Sequence, residues 1–323
     1  MLTLRIVTDF EEGRRLWQKL MPRELVSDLW EFRLCFHRHY NRPLRFIVAE
    51  ENDETVGFLP LSWVEEKNSF AYFPGETWQG KTWLEQNRVF CRDERVLAAM
   101  MEACPSQYHL RYLLPQVGVA GISHIVDEIG YLFNPPEFGY DMTNYFRLFS
   151  HKTYKKIMRD IGKIRESGMA YRYDDVADFD AMVKLNTDRF EHNSYFYDTR
   201  FRESFRDVMN LCRDNGWMRL TTILVGGRIA AVDLGCIYNN VYTLLGGGTS
   251  ADFPGIAKLI NLHHMEYACQ RRFDRADFLC GDFSWKSLFH LSPRPLFLMT
   301  DMAAMMPQYK NADESDNISH AAG

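Results

Sequence analysis

Asp233 sits in the middle of an otherwise apolar run, IAAVDLGC at 229–236. A carboxylate in such surroundings, held away from water, could serve as a general base. The same placement also suits a carboxylate that is simply hydrogen-bonded at a strand edge. A second feature is the stretch SADFPGIAK at 250–258, which runs into a helical pattern. The start of a helix offers unpaired N–H groups and about half a positive charge, which suits an anionic group. Gly255 lets backbone come close to such a group, and Lys258 adds a cation in the first turn. The alternative is an ordinary loop-to-helix connection that uses glycine to turn. A third feature is SHKTYKKIMRDIGKIRESG at 150–168. Helical spacing puts Lys152, Lys155, Lys156, Arg159 and Lys163 within an arc of about 100°, opposite Tyr154, Ile157, Met158, Ile161 and Ile164. That basic face is either a solvated surface or a rim that draws an anionic ligand, because five like charges repel unless an anion is near.

Several other chemistries find no support. Gly246-Gly247-Gly248 lacks the G-x-G-x-x-G spacing of a dinucleotide loop, and no Walker lysine is present. His37-x-His39 and His263-His264-x-Glu266 lack the i, i+4 spacing that sets two ligands on one helix face, so no metal is expected. There is no G-x-S-x-G elbow, and none of the seven cysteines stands in a recognisable nucleophile setting or a C-x-x-C pair. An odd number of unpatterned cysteines predicts a reduced, cytoplasmic protein.

The elements that must hold these residues follow from length and periodicity. A chain of 323 residues has room for two domains. The formal charge of −5 gives no general reason to expect a nucleic-acid partner. No membrane span is expected: the longest uncharged stretch, Leu234–Ala251, contains Asn239, Asn240 and three glycines. The acidic Asp9, Glu11 and Glu12 sit where a signal peptide would carry its apolar run. In the second half the spacing predicts helices over 176–190 and 201–212. Three strands follow, LTTILV, RIAAVDLGCIY and VYTLLGGGT, joined by Gly226-Gly227 and Asn239-Asn240, residues that supply the φ > 0 of two-residue hairpins. A helix of about 15 residues follows the 250–258 loop, with Ile256, Leu259, Ile260, His263 and Tyr267 on one face. Then come a buried strand at 276–280, a short helix at 284–290 and a strand at 296–299. This is not a strict βαβα alternation, so a doubly wound fold is disfavoured.

The first half echoes that order faintly. Strands at 46–50, 56–64 and 70–73 form a second meander, with Val56 in the place of Ile229, and a helix at 94–103 and a strand at 108–114 come after it. ETWQGKTWLEQN at 76–87 stands where the second half has its Pro-Gly loop, so only the second half keeps a ligand loop.

Three segments, together spanning roughly 150–300, carry a family resemblance. They are the basic helix Ser150–Gly168, the loop DFPGIAK at Asp252–Lys258, and DFLCGDFSWK at Asp277–Lys286. The second half resembles the GNAT acyltransferase fold, and the whole chain resembles the tandem-GNAT group related to FemAB peptidyltransferases. The resemblance implies an α+β protein of two GNAT-like domains, each a mixed, mostly antiparallel sheet flanked by helices. Residues 1–145 would be a degenerate first domain and 146–305 the domain with the cofactor loop; 306–323 would be a disordered tail. It implies an acyl-CoA co-substrate, in the first place acetyl-CoA, whose pantetheine pairs with the strand at 242–249 and whose pyrophosphate meets the next helix. Leu245, Gly246, Gly247, Pro254, Gly255, Ile256, Ala257 and Lys258 are the candidate cofactor residues.

Asp282 and Lys286, with Asp233, are the candidate catalytic groups: a carboxylate and an ammonium could deprotonate an amine and stabilise a departing thiolate. A structural ion pair is the plainer role for the first two. Trp285 stands where the group tends to have tyrosine. Indole cannot protonate a thiolate, so a tyrosine-acid mechanism does not carry over. The expected activity is N-acyl transfer to a small-molecule or peptide amine bound between the two domains. The alternatives are an aminoacyl-tRNA-dependent transferase of the FemAB or lysyl-lipid kind, favoured by the basic helix, and a catalytically degenerate GNAT pair that only binds a ligand. Oligomeric state is not legible.

Overall fold

The computed structural model describes residues 1–115, 125–281 and 285–301, and shows an α+β protein divided into two units. The first unit takes in Met1–Pro22, Ser27–Glu128 and the chain from Pro295 onward. Its elements are β1 (Leu2–Val7), α1 (Phe10–Leu20), α2 (Trp30–Tyr40), β2 (Leu44–Glu51), β3 (Glu54–Val64), β4 (Ser69–Tyr72), β5 (Phe90–Cys91), α3 (Glu94–Glu102) and β6 (His109–Leu113). The sheet order is β1-β2-β3-β4, with β5 added on β3, and all these pairings are antiparallel. The expected meander at 46–73 is therefore present, extended by a first strand that the sequence reading did not find. Asn52 and Asp53 turn its first hairpin at φ 53° and 63°, the left-handed geometry that a two-residue hairpin requires. Asp9 and Asp93 accept from the backbone N–H of Glu12 and Val96 and so start α1 and α3. Trp17, Trp30, Phe46, Phe58 and Phe73 form the centre of this unit's core.

The second unit takes in Arg23–Val26 and Ile129–Arg294. Its elements include most of β7 (Ile125–Phe133), then α4 (Met142–Phe146), α5 (His151–Glu166), β8 (Met169–Tyr173), α6 (Asp178–Phe190), α7 (Thr199–Asp214), β9 (Met218–Val225), β10 (Arg228–Tyr238), β11 (Val241–Thr249), α8 (Ile256–Gln270), β12 (Arg275–Asp277) and α9 (Trp285–Leu288). A last strand, β13 (Ser292–Thr300), follows, and its end pairs antiparallel with β6 inside the first unit. In the second unit the strands run β7-β12-β11-β10-β9-β8. Among the pairings β7-β12-β11-β10-β9-β8 of the described residues, β11 with β12 is the parallel one, because α8 carries the chain from one to the other. The three strands 218–249 and their two turns are as the residues predict: Gly226-Gly227 and Asn239-Asn240 all have positive φ.

Three expectations need correction. The strand expected over 276–280 ends at Asp277. Beyond it, Phe278 donates to Tyr131 O (2.9 Å) and Leu279 O accepts from Tyr131 N (3.2 Å), while Leu279 itself turns at φ 56°. Buried Phe278 and Leu279 thus carry the chain one step along β7 and then turn it out of the sheet. The buried side of α8 is also wider than the face read from spacing: Leu262, His264, Met265, Ala268 and Cys269 are buried as well. The reason is that α8 packs both on the sheet and against α4 and α5. In the helix at 176–190, Val176 and Phe190 are exposed, and Phe179, Met182 and Val183 carry the packing. The expected tail at 306–323 lies outside the described residues.

Candidate active site

The pairing of β11 with β12 lasts for three positions, Val241–Arg275, Tyr242–Ala276 and Thr243–Asp277. Past Thr243, among the described residues, β11 has no strand on that flank. On its other flank β11 stays paired with β10, through a β-bulge: Gly235 faces Leu244 and Leu234 faces Gly246, so Leu245 is the extra residue. A bulge leaves its extra residue out of the ladder and bends the strand. The next residues, Gly246 and Gly248, face the helices α6 and α7. A Cβ on Gly246 would stand 3.0 Å from the Phe205 ring, and one on Gly248 would stand 2.5 Å from Met182 O. These two glycines therefore allow close helix packing.

The loop that follows reaches α8 through Pro254 and Gly255. Gly255 is the N-cap, at φ 89°, and no side chain caps the helix there. Ile256 is buried, Ala257 is half-buried, and Lys258 reaches outward with its Nζ 3.9 Å from Asp160 Oδ2. Asp160 comes from α5, whose basic face is exposed as its spacing predicts and whose Ile157, Ile161 and Ile164 are buried. No side chain caps the α8 N-terminus, where Ile256 N–H donates to Phe253 O and Lys258 N–H to Gly255 O (both 3.1 Å), and one cation and one opposing carboxylate stand beside it.

Asp233 belongs to a buried chain of polar groups on the α8 side of the sheet. Its Oδ2 lies 2.9 Å from His264 Nε2, and His264 Nδ1 lies 3.0 Å from the hydroxyl of Tyr242. Tyr242, His264 and Asp233 are 0%, 1% and 5% exposed, so each must find its partner inside the protein. One arrangement of protons satisfies all three: Tyr242 donates to Nδ1, and Nε2–H donates to the carboxylate. Two glycines make the room. A Cβ on Gly247, which pairs with Asp233, would lie 1.8 Å from Asp233 Oδ1; one on Gly235 would lie 2.4 Å from the Tyr242 ring. Chemically, such a chain orients a carboxylate as a proton acceptor. Burial also pushes the Tyr242 hydroxyl well above its ordinary pKa, so it serves as a donor. Reading the sequence alone finds Asp233 and misses His264 and Tyr242; the small residues Gly235 and Gly247 on neighbouring strands are the available signal.

Lys286 lies in α9 and is 2% exposed. Its ammonium donates to the carbonyls of Phe278 (3.0 Å), Leu279 (2.9 Å) and Cys280 (2.6 Å), and so fixes the turn after β12. Asp282 lies outside the described residues. Among the described residues no group of three or more His, Cys, Asp or Glu side chains is placed to hold a metal ion, and no helix is long and apolar enough to cross a membrane.

Comparison with known proteins adds family to this geometry. Residues 151–287 match a family described as "Acetyltransferase (GNAT) domain". No curated protein matches the chain. Among solved structures it is similar to FemX, at 10% identity and a TM-score of 0.56 over 91% of this chain and 96% of that one. It is similar to L-PGS from Bacillus licheniformis, at 9% identity and a TM-score of 0.55 over 94% and 96%. It is also similar to the C-terminal domain of a putative lysylphosphatidylglycerol synthetase from Agrobacterium fabrum, at 11% identity and a TM-score of 0.54 over 89% and 91%. At these identities the likeness is one of fold. Residues 151–287 match the GNAT acetyltransferase domain, and acyl transfer is the activity which that match supports.

Proposed function

We propose that the protein is an acyl-CoA-dependent N-acyltransferase, with acetyl-CoA the first donor to test. The observation that carries this reading is the parting of β12 from β11 after Thr243, beside the bulge at Leu245. The freed flank of β11 has main-chain groups for an extended pantetheine arm, and the uncapped start of α8 follows it closely enough to receive a pyrophosphate. In the reaction the acceptor nitrogen bonds to the thioester carbonyl carbon, the C–S bond breaks, and the amine proton passes to a base and on to the departing thiolate. Asp233 is the proposed base, oriented by His264. Calorimetric titration of the full chain with acetyl-CoA should show one binding event, and no heat at millimolar cofactor would overturn the reading.

A second reading has its own observation. Asp160 stands where a pyrophosphate would come to α8, and its charge opposes one. A donor without a pyrophosphate, an aminoacyl-tRNA ester, meets no such opposition, and the exposed cations of α5 suit RNA phosphates. Retention of charged tRNA on a gel, weakening steeply as salt rises, together with silence toward acetyl-CoA, would select it.

A further inference from the structure

The segment 76–87 builds one wall of a small cavity inside the first unit. The cavity has a volume of about 30 Å3, and its lining includes Arg33, Lys67, Glu76, Asn87, His109 and Arg111. It has room for roughly two water-sized groups. Polar groups this crowded usually satisfy one another, and most here do. Glu76 Oε1 accepts from the Thr82 hydroxyl and from the backbone N–H of Trp83 (3.0 Å) and Leu84 (2.7 Å). Arg33, 1% exposed, donates to Ser27 O (2.8 Å) and Phe73 O (3.2 Å) and lies in the field of Glu76 and Asp28. Arg111 is held by Asp127 through two nitrogens, at 2.9 and 2.8 Å.

Two groups stand apart. The ammonium of Lys67 donates to Gly80 O (2.7 Å), a neutral acceptor, and has no carboxylate partner among the described residues. Burial, and after it the charge of Arg111, lowers its pKa, as expected of a cation that lacks an anion. The other is Asn87, 4% exposed, whose Oδ1 is buried without a hydrogen bond among the described residues. Its amide cannot turn round to repair this, because Nδ2 already donates to Arg111 O (2.8 Å). A buried oxygen without a donor forfeits about 1–3 kcal/mol, so such an atom calls for an explanation. The cavity therefore offers a positive charge that needs an anion and an acceptor that needs a donor.

We propose that this cavity binds the head of a small amino or hydroxy acid, its carboxylate against Lys67 and Arg33 and its adjacent ammonium or hydroxyl donating to Asn87 Oδ1. An inorganic dianion suits the cavity less, because the buried Glu76 lies in the same wall. The site belongs to the first unit alone and does not depend on how the donor is held in the second.

The test is a set of thermal-shift and calorimetric titrations of the full chain with glycine, glycolate, acetate and methylammonium. Glycine or glycolate should bind and raise the melting temperature. Acetate, which lacks the second donor, should bind several-fold more weakly, and methylammonium should not bind. Lys67→Met should weaken glycine or glycolate binding by about tenfold, as loss of one charge-assisted contact would, and Lys67→Arg should retain it. Lys67 is only half-buried, so both variants should fold, and their melting temperatures without ligand report on that. Absence of binding by both glycine and glycolate, or binding that Lys67→Met leaves unchanged, would overturn the site. Acetate binding as tightly as glycine would remove Asn87 from it.

Discussion

Asp233 Oδ2 and His264 Nε2 are 2.9 Å apart, in a pair that joins β10 to the helix covering it. The strand register explains the meeting. Asp233 pairs across the ladder with Gly247, so both point to the α8 side, and a residue with any side chain at 247 would fill the space of the carboxylate. Tyr242 lies on that same side over Gly235 and completes the chain at His264 Nδ1.

The dependence of Asp233 on Gly247 predicts a coupled pair of substitutions. Gly247→Ala should force the carboxylate off His264 and lower stability by about 2–4 kcal/mol. Asp233→Ala, which leaves His264 Nε2 without its acceptor, should lower it by a similar amount. The double variant should then be at least about 1 kcal/mol more stable than the sum of the two losses implies. Urea unfolding measures all three, and simple additivity would mean that Gly247 does not make room for Asp233.

Lys258 and Asp160 offer opposite levers on the donor. With a pyrophosphate at the start of α8, Lys258→Ala should weaken acetyl-CoA binding by about 1–2 kcal/mol, and Asp160→Asn should strengthen it by removing an opposing charge. Gly255→Val should weaken it too, and through conformation: the added Cβ would meet Ile164 Cδ1 and Asp160 Cβ at ordinary distances of 3.7 and 3.9 Å, but φ is 89°. Lys152→Ala and Lys155→Ala should leave CoA affinity unchanged. Calorimetry that finds Asp160→Asn neutral would place the pyrophosphate elsewhere.

Much of the second unit is legible because its signals are local. Gly-Gly and Asn-Asn turns fix the hairpins of β9–β11, and the spacing of isoleucines fixes the buried side of α5. The pairing of Asp233 with His264 is not local: 31 residues separate them, and only the packing of α8 on the sheet brings them together. His264 looks from sequence like half of a rejected metal motif. The bulge at Leu245 has no residue signature, since it follows from the register of two strands, and the early end of β12 is hidden by apolar residues that continue beyond it.

Lys286 tests whether a buried ammonium belongs to the fold or to the chemistry. Its three carbonyl acceptors follow β12 and lose their shared donor in Lys286→Met, which keeps the length of the side chain. The expected result is a loss of about 3 kcal/mol in stability, seen as an earlier urea midpoint. An unchanged midpoint with abolished turnover would instead assign Lys286 to the acyl-transfer step.

His263, next to His264 on α8, should make the second unit sensitive to acid. Burial, followed by the nearby His264 and Arg219, holds its pKa down to about 3, against 6.5 for an ordinary histidine. Its ring stacks on Tyr171, with centroids 4.3 Å apart, and Nε2 lies 3.3 Å from the Tyr173 hydroxyl. Above pH 6.5 both the folded and the unfolded chain keep it neutral, and it contributes no pH dependence. As the pH falls from 6.5 toward 3, the unfolded chain takes up the proton and the folded one does not. Stability is then lost, by at most about 1.4 kcal/mol per pH unit from this group. His109, held down to about 4 chiefly by burial, adds a loss of the same sign in the first unit. His263→Phe keeps the stack on Tyr171 and removes the titration. Urea unfolding should therefore show a shallower decline for the variant between pH 6 and pH 4, with little change in stability at pH 8. An identical acid slope in variant and parent would show that His263 takes up its proton in the folded state.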